Sequence, residues 1–138
     1  MSITPDDVRS FIRSHHRGVL ATLRHDGAPQ LSPVLVGVDD DGTLIISTRE
    51  GAMKTANVRR TGRAWVTVFE DGFFGRWVQA EGAATVESLP VAMDGLVRYY
   101  RLVSGEHPDW DDYRAAMQRE RRVVVRVTIT RAGPDISG

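Results

Sequence analysis

Apolar and polar residues alternate in short runs along most of this chain, and this pattern predicts β-strands. The runs are rich in β-branched residues and are separated by turn signals such as Asp26-Gly27 and Asp41-Gly42. The first three runs predict two successive hairpins, and the next two predict a third hairpin around the sequence GFFG. Pro33 cannot donate a ladder hydrogen bond, so it belongs at a sheet edge or a bulge. The predicted strands cover residues 18–24, 30–38, 43–49, 63–71, 76–88 and 122–132.

Helical spacing of apolar residues marks the remaining stretches. Near the N-terminus, Thr4 is placed as an N-cap, Pro5 as the first helical residue, and Val8 and Ile12 on one apolar stripe. Further helices are predicted at about 51–61, 90–105 and 109–121. Short antiparallel strands with small helices at their joints indicate a mainly β fold, a closed or nearly closed barrel.

Length and composition limit the classes of function. The 138 residues fit one domain spanning residues 1–138, and a chain of this size favours a dimer because much apolar surface remains to be buried. A formal net charge of zero gives no broad field for nucleic acid or an anionic membrane. We find no cysteine, no apolar leader and no run near the roughly 18 apolar residues of a membrane span. We therefore expect a cytoplasmic protein without nucleic-acid or membrane partners.

Hydroxyls and cations gather where the third predicted strand gives way to a helix. Arg49 offers a planar fork for a phosphate, and Lys54, the single lysine of the chain, adds a charge from the first helical turn. The free N–H groups at a helix start also attract anions. This predicts a phosphate cradle, with a solvated amphipathic helix as the alternative. The polar residues of the cradle are Ser47, Thr48, Arg49, Lys54 and Asn57.

Several segments in this order resemble a known family. The segments GVLATLRHDGAPQLSPV, IISTREGAMKTANVRRTGRAWVTV and WVQAEGAATV are similar to the split β-barrel flavin-binding proteins related to pyridoxamine 5′-phosphate oxidase. The segment YRLVSGEHPDWDDYRAAMQRERRVVVRVTI resembles the actinobacterial flavin/deazaflavin oxidoreductases, whose members bind coenzyme F-420. The resemblance covers about residues 8–131. It implies an antiparallel split β-barrel that forms a homodimer, with the cofactor between the subunits.

The resemblance also assigns roles to residues. The cradle would hold the cofactor phosphate, and Arg49 is the expected substitute for an arginine that the oxidase pattern has where this chain has Met53. Trp77 and Gln79 would reach the ring from the partner subunit. Arg60, with Arg59 and Arg63, would meet the anionic tail of a deazaflavin, or else pair with acidic neighbours. The ring itself would be lined by Gln30, Leu31, Ser32, Pro33 and Val34.

The implied function is oxidoreduction of a small molecule. Reduced coenzyme F-420 would donate a hydride to a small organic acceptor, so no catalytic acid or base is identified. One alternative is an oxidase or reductase that binds flavin mononucleotide (FMN), and another is a cofactor-binding protein without turnover. Pyridoxamine 5′-phosphate oxidation is not expected, because the chain stops soon after Arg131, where the oxidase supplies substrate-binding residues. The four histidines lack metal-ligand spacing, so no metal site is predicted.

Overall fold

A computed structural model describes residues 2–134 of the protein. Within this range the chain forms seven strands and four short helices. In chain order the elements are α1 (Pro5–Ser14), β1 (Arg17–Leu23), β2 (Pro29–Leu35), β3 (Gly37–Val38), β4 (Leu44–Arg49), α2 (Met53–Thr61), β5 (Arg63–Phe69), β6 (Trp77–Glu87), α3 (Ala92–Ser104), α4 (Trp110–Arg119) and β7 (Arg122–Gly133). No helix among these residues is both long and apolar enough to cross a membrane.

All strands belong to one antiparallel sheet in the order β2-β1-β5-β6-β7-β4-β3. The two edge strands, β2 and β3, are consecutive segments of the chain that Val36 separates. One segment pairs with β1 and the other with β4, so the sheet curls until its two edges meet at Val36. Beyond the pair Gly37–Ile45, β2 and β4 diverge, and this divergence opens a split in the curled sheet.

The predicted hairpins are confirmed for β1–β2 and β5–β6. The second predicted hairpin is much smaller than expected, because only the two residues of β3 pair with β4. The predicted strand over residues 30–38 is interrupted at Val36, whose backbone N–H donates to the His16 carbonyl at 2.8 Å. The whole of β4 pairs with β7 on its other edge. Pro33 lies on the edge strand β2, as its missing N–H predicts.

A β-bulge helps the sheet to curl. The register between β6 and β7 shifts at Glu81/Gly82. At Gly82 the backbone of β7 comes so close that a Cβ atom would lie 1.7 Å from the Thr128 carbonyl oxygen. A residue with a side chain would therefore push the two strands apart, and glycine permits the approach.

The concave side of the sheet holds the main core, and α1 packs into it through the fully buried Val8 and Ile12. The helix starts as predicted, since Thr4 and Asp7 form a reciprocal capping box. On the opposite side of the sheet, α3 packs Leu96 against Ile45 of β4. Burial of each such side chain contributes about 1.5–3 kcal/mol, so helices stabilise the sheet from both sides.

Candidate anion-binding groove

A groove of about 470 Å³ occupies the split where β2 and β4 diverge. We call this space the groove. It joins the end of β4 and the start of α2 to the second half of β2, so residues far apart in sequence share one wall. Its lining residues are Pro33, Val34, Leu35, Ser47, Thr48, Arg49, Ala52, Lys54 and Arg122.

The start of α2 forms the floor of the groove. The turn before the helix is closed by the Ala52 N–H, which donates to the Arg49 carbonyl at 3.1 Å, and by the Thr55 hydroxyl, which donates to the same oxygen at 2.6 Å. The N-cap residue Ala52 has no side-chain acceptor, and the first turn carries no acidic residue. The N–H groups of this turn therefore remain available to an anion.

Two cations, Lys54 and Arg122, meet at this wall, and Lys54 has no counter-charge of its own among the described residues. Among residues 2–134, no carboxylate lies within 4.0 Å of the Lys54 amine. Burial and the charge of Arg122 lower the pKa of Lys54 below its ordinary value. Both effects disfavour the charged ammonium group, and a bound anion would oppose both of them.

Arg49 and Arg122 lie directly opposite each other in the β4–β7 ladder. Two like charges in this position repel, and Glu120 offsets the repulsion. One oxygen of Glu120, Oε1, lies 2.8 Å from Arg122 Nη2 and 3.4 Å from Arg49 Nη2. Hydrogen bonding from Arg122 lowers the pKa of Glu120, so its carboxylate carries a charge at neutral pH.

Tyr99 of α3 lines the cavity next to the groove and contacts Leu35, which lines both. Its hydroxyl donates to the Leu35 carbonyl at 2.9 Å, next to the point where β2 and β4 separate. Burial raises the pKa of Tyr99, and a hydrogen bond from the Ser47 backbone partly offsets that effect. This second cavity, of about 370 Å³, lies between α3, α4 and the sheet. It shares Leu35, Ser47 and Arg122 with the groove.

The structure brings together six of the thirteen predicted cofactor residues. The strand-to-helix cations and hydroxyls face the same groove as two of the predicted ring contacts. The sequence placed these groups in separate segments, and the split in the sheet places them side by side. The six residues are Pro33, Val34, Ser47, Thr48, Arg49 and Lys54.

Asn57, predicted for the phosphate cradle, and Arg60, predicted for the anionic tail, do not line the groove. Asn57 is 2% exposed, and its amide donates to the Thr22 hydroxyl of β1 at 3.1 Å. Arg60 donates to Asn57 Oδ1 at 3.2 Å and to the Leu23 carbonyl. The side of α2 that carries Asn57 packs on β1, so this residue fastens the helix instead of facing a ligand.

Three predicted ring contacts at the start of β2 also lie outside the groove. The Gln30 side chain accepts a hydrogen bond from Thr22 at 3.4 Å and thereby joins the polar chain beneath α2. Leu31 is 65% exposed, whereas Ser32 is buried. The second half of β2, from Pro33 to Leu35, lines the groove, although the whole strand pairs with β1.

Trp77 and Gln79 are on β6, away from the groove of the same chain. Trp77 lines a separate cleft of about 780 Å³ beside α1, together with Phe11 and His15. Gln79 is exposed. A single chain therefore does not bring these two residues to the groove, and their predicted role depends on a partner subunit.

The other arginines predicted to meet an anionic tail are engaged elsewhere. Arg59 pairs with Glu50 at 2.7 Å, and Arg63 lies 3.5 Å from Glu81. These contacts agree with the alternative that the arginines pair with acidic neighbours. Within residues 2–134, no three His, Asp or Glu side chains are gathered as metal ligands.

Sequence reasoning missed Arg122, Leu35 and Ala52 as lining residues. Arg122 is the first residue of β7, and no local motif marks it as a ligand-binding residue. Its place in the site follows from the register between β4 and β7, which sets it opposite Arg49. Leu35 was already within the predicted strand and lies one residue beyond the predicted ring contacts.

Comparison with known proteins agrees with this architecture. The family described as pyridoxamine 5′-phosphate oxidase matches residues 4–133. The chain belongs to this family. Within the family, it is 32% identical over 130 residues to the F420H(2)-dependent biliverdin reductase of Mycobacterium tuberculosis (strain CDC 1551 / Oshkosh), covering 91% of this chain and 84% of the reductase. This relative confirms the resemblance to the deazaflavin branch.

Solved structures of similar proteins show the same fold. The conserved hypothetical protein Rv2991 from Mycobacterium tuberculosis superposes with a TM-score of 0.76 at 25% identity, covering 98% of this chain and 91% of that one. A protein described as F420 reductase superposes with a TM-score of 0.71 at 19% identity, covering 94% and 98% of the two chains. The curled antiparallel sheet with short helices is thus a family architecture.

Proposed function

We propose that this protein is an oxidoreductase that binds coenzyme F-420 in the groove and transfers a hydride from its reduced form to a small organic acceptor. The observation that carries the proposal is the half-buried Lys54, which faces the groove beside Arg122 with no carboxylate of residues 2–134 in pairing distance. The similarity to a reductase that uses F420H(2) supports this cofactor.

The groove residues fit the two chemically different parts of such a cofactor. Lys54, Arg122 and the N–H groups at the start of α2 would hold the phosphate, with the Ser47 hydroxyl as a further donor. Pro33 and Val34 offer an apolar wall to the ring. When bound, the deazaflavin supplies the hydride, and the residues of the chain bind it and orient it.

We further propose that the site is completed in a homodimer. Trp77 and Gln79 lie outside the groove of their own chain, and the exposed Phe73 and Phe74 at the β5–β6 tip offer apolar surface for a partner. Mixing Lys54→Ala subunits with Trp77→Ala subunits should then restore one intact site in each mixed dimer. No recovery of cofactor binding or turnover in the mixture would contradict a shared site.

FMN is the second candidate cofactor, because the groove offers a phosphate site and an apolar wall that FMN could also use. The two cofactors can be separated by equilibrium binding of the purified protein to oxidised coenzyme F-420 and, separately, to FMN, followed by fluorescence. We expect tighter binding of coenzyme F-420. The reverse preference would indicate an FMN-dependent oxidase or reductase, and binding of neither would overturn the proposal.

The acceptor can be tested after the cofactor. Biliverdin, the compound in the name of the 32% identical relative, is the first acceptor to try with reduced coenzyme F-420 under anaerobic conditions. Loss of the reduced cofactor in step with the acceptor would support a reductase. Tight cofactor binding without oxidation by a broad acceptor panel would favour a carrier protein. We place the protein in the cytoplasm and expect no nucleic-acid or membrane partner.

A further inference from the structure

Glu120 does not line the groove itself, but it pairs with two arginines that do. Its Oε1 atom accepts from Arg122 Nη2 at 2.8 Å and Nε at 3.1 Å, and it lies 3.4 Å from Arg49 Nη2. Both arginines line the groove, whereas Lys54, which also lines it, has no such carboxylate among the described residues. Glu120 thus partly neutralises the two arginines of the groove and leaves the charge of Lys54 without a carboxylate partner among the described residues.

The backbone around Glu120 is fixed, although its side chain can move. Glu120 caps the end of α4, and the next residue, Arg121, has a left-handed φ of 51°. The Arg121 carbonyl accepts a hydrogen bond from the Glu50 N–H at 2.8 Å, which fastens this corner to the end of β4. The Glu120 side chain is 34% exposed, so it can turn towards solvent while the corner stays in place.

We propose that Glu120 is a specificity-determining residue, an internal counter-anion that selects ligands with a doubly charged phosphate over singly charged anions. When a singly charged anion displaces Glu120, the two arginines exchange one singly charged partner for another. A phosphate dianion brings a second charge and a third acceptor oxygen, which can reach Lys54 as well. The inference rests on the proposed phosphate site and adds the reason for its selectivity.

The test uses inorganic phosphate and formate as probes of the two charge types. Backbone amide signals of residues 47–54 are followed by two-dimensional NMR at fixed ionic strength and about pH 8, where phosphate is mainly a dianion. The variants are Glu120→Gln, Lys54→Ala and, as a matched control, Glu106→Gln. Glu106 pairs with Arg101 at 2.9 Å and does not line the groove.

We expect the wild-type protein and Glu106→Gln to bind phosphate more tightly than formate, with the same ratio. Glu120→Gln should bind both anions more tightly and formate most of all, so the phosphate-to-formate ratio should fall by roughly fivefold. The Glu120 substitution is isosteric and retains a polar group, and the amide spectrum itself reports whether the variant is folded.

The outcomes separate the inference from the proposed function. If Lys54→Ala weakens phosphate binding but Glu120→Gln keeps the wild-type ratio, the selectivity role is wrong and the phosphate groove stands. Weaker phosphate binding by Glu120→Gln would also contradict the role, because it would make Glu120 a support for the arginines. If phosphate shifts no groove amide in any variant, both the inference and the phosphate site fail.

Discussion

Two clusters of basic and acidic residues in this protein differ in how completely their charges are paired. On the outer face of the sheet, Asp39 accepts two hydrogen bonds from Arg98 at 2.9 and 3.0 Å and one from Arg126 at 2.7 Å. Arg126 also lies 2.7 Å from Glu87. In this cluster, each cation has a carboxylate, and Asp39 is only 5% exposed.

The groove has the opposite balance. Lys54, Arg49 and Arg122 line it together, and among the described residues Glu120 pairs with the two arginines while no carboxylate pairs with Lys54. A half-buried charge without a partner, such as that of Lys54, costs free energy, and a third cation beside two arginines that share one carboxylate adds repulsion unless another anion joins them. The contrast suggests that the paired cluster serves the fold and that the unpaired cluster serves a ligand.

The largest expected effect comes from the paired cluster. Asp39→Asn should lower the free energy of unfolding by about 3 kcal/mol, the lower part of the range for breaking a buried ion pair, because Arg98 is partly exposed. Urea unfolding would measure the loss, and Asp40→Asn, an exposed neighbour, is the control. Unchanged stability would mean that the pairing contributes nothing to the fold.

The same cluster has a defined pH dependence. Arg98 and Arg126 hold the pKa of the Asp39 carboxyl well below its usual range. Its contribution to stability is therefore complete above the unfolded-state pKa of about 4 and is lost as the pH falls towards the lower folded-state value. Asp39→Asn should remove this part of the decline in stability on acidification.

The next largest effect concerns the unpaired cluster and ligand affinity. Lys54→Ala should weaken cofactor binding by roughly 1.5–3 kcal/mol, the range for a charge-assisted hydrogen bond, while stability stays near the wild-type value. Fluorescence titration with coenzyme F-420 would measure the affinity. Arg59→Ala, on the same helix but paired with Glu50, is the matched control. Equal losses in both variants would argue against a specific phosphate contact.

Asn57 tests whether the side of α2 that packs on β1 contributes to stability or to ligand binding. Asn57→Ala should lower the free energy of unfolding by about 2 kcal/mol, because it removes the buried partner of the Thr22 hydroxyl and of Arg60. Cofactor affinity in the folded fraction should change little. The reverse result, weaker binding with wild-type stability, would support the original prediction that Asn57 contacts the cofactor.

The smallest effect is expected for a neutral contact beside the groove. Tyr99→Phe removes the hydroxyl that donates to the Leu35 carbonyl, and a single hydrogen bond of this kind contributes about 1 kcal/mol. Thermal or urea unfolding would measure this loss. A much larger loss would show that the hydroxyl holds β2 and β4 in their diverging positions.

The sequence alone determined the elements, because their signals are local. Alternation of apolar residues, Asp-Gly turns and the Thr4 cap are each encoded within a few residues, and the structure confirms the strands and helices that they predict, apart from the break at Val36. The strand-to-helix cations were visible for the same reason. Arg49 and Lys54 are five positions apart, and the chemistry of a helix start does not depend on the rest of the fold.

Tertiary structure decided which of these residues share a site. The interruption at Val36 opens the split, the β4–β7 register sets Arg122 opposite Arg49, and the packing of α2 turns Asn57 towards β1. None of these follows from neighbouring residues, because each depends on contacts between segments that are distant in sequence. Pairing of charges is likewise a property of three-dimensional distance, so the sequence shows the cations and the fold decides which of them remain free to bind an anion.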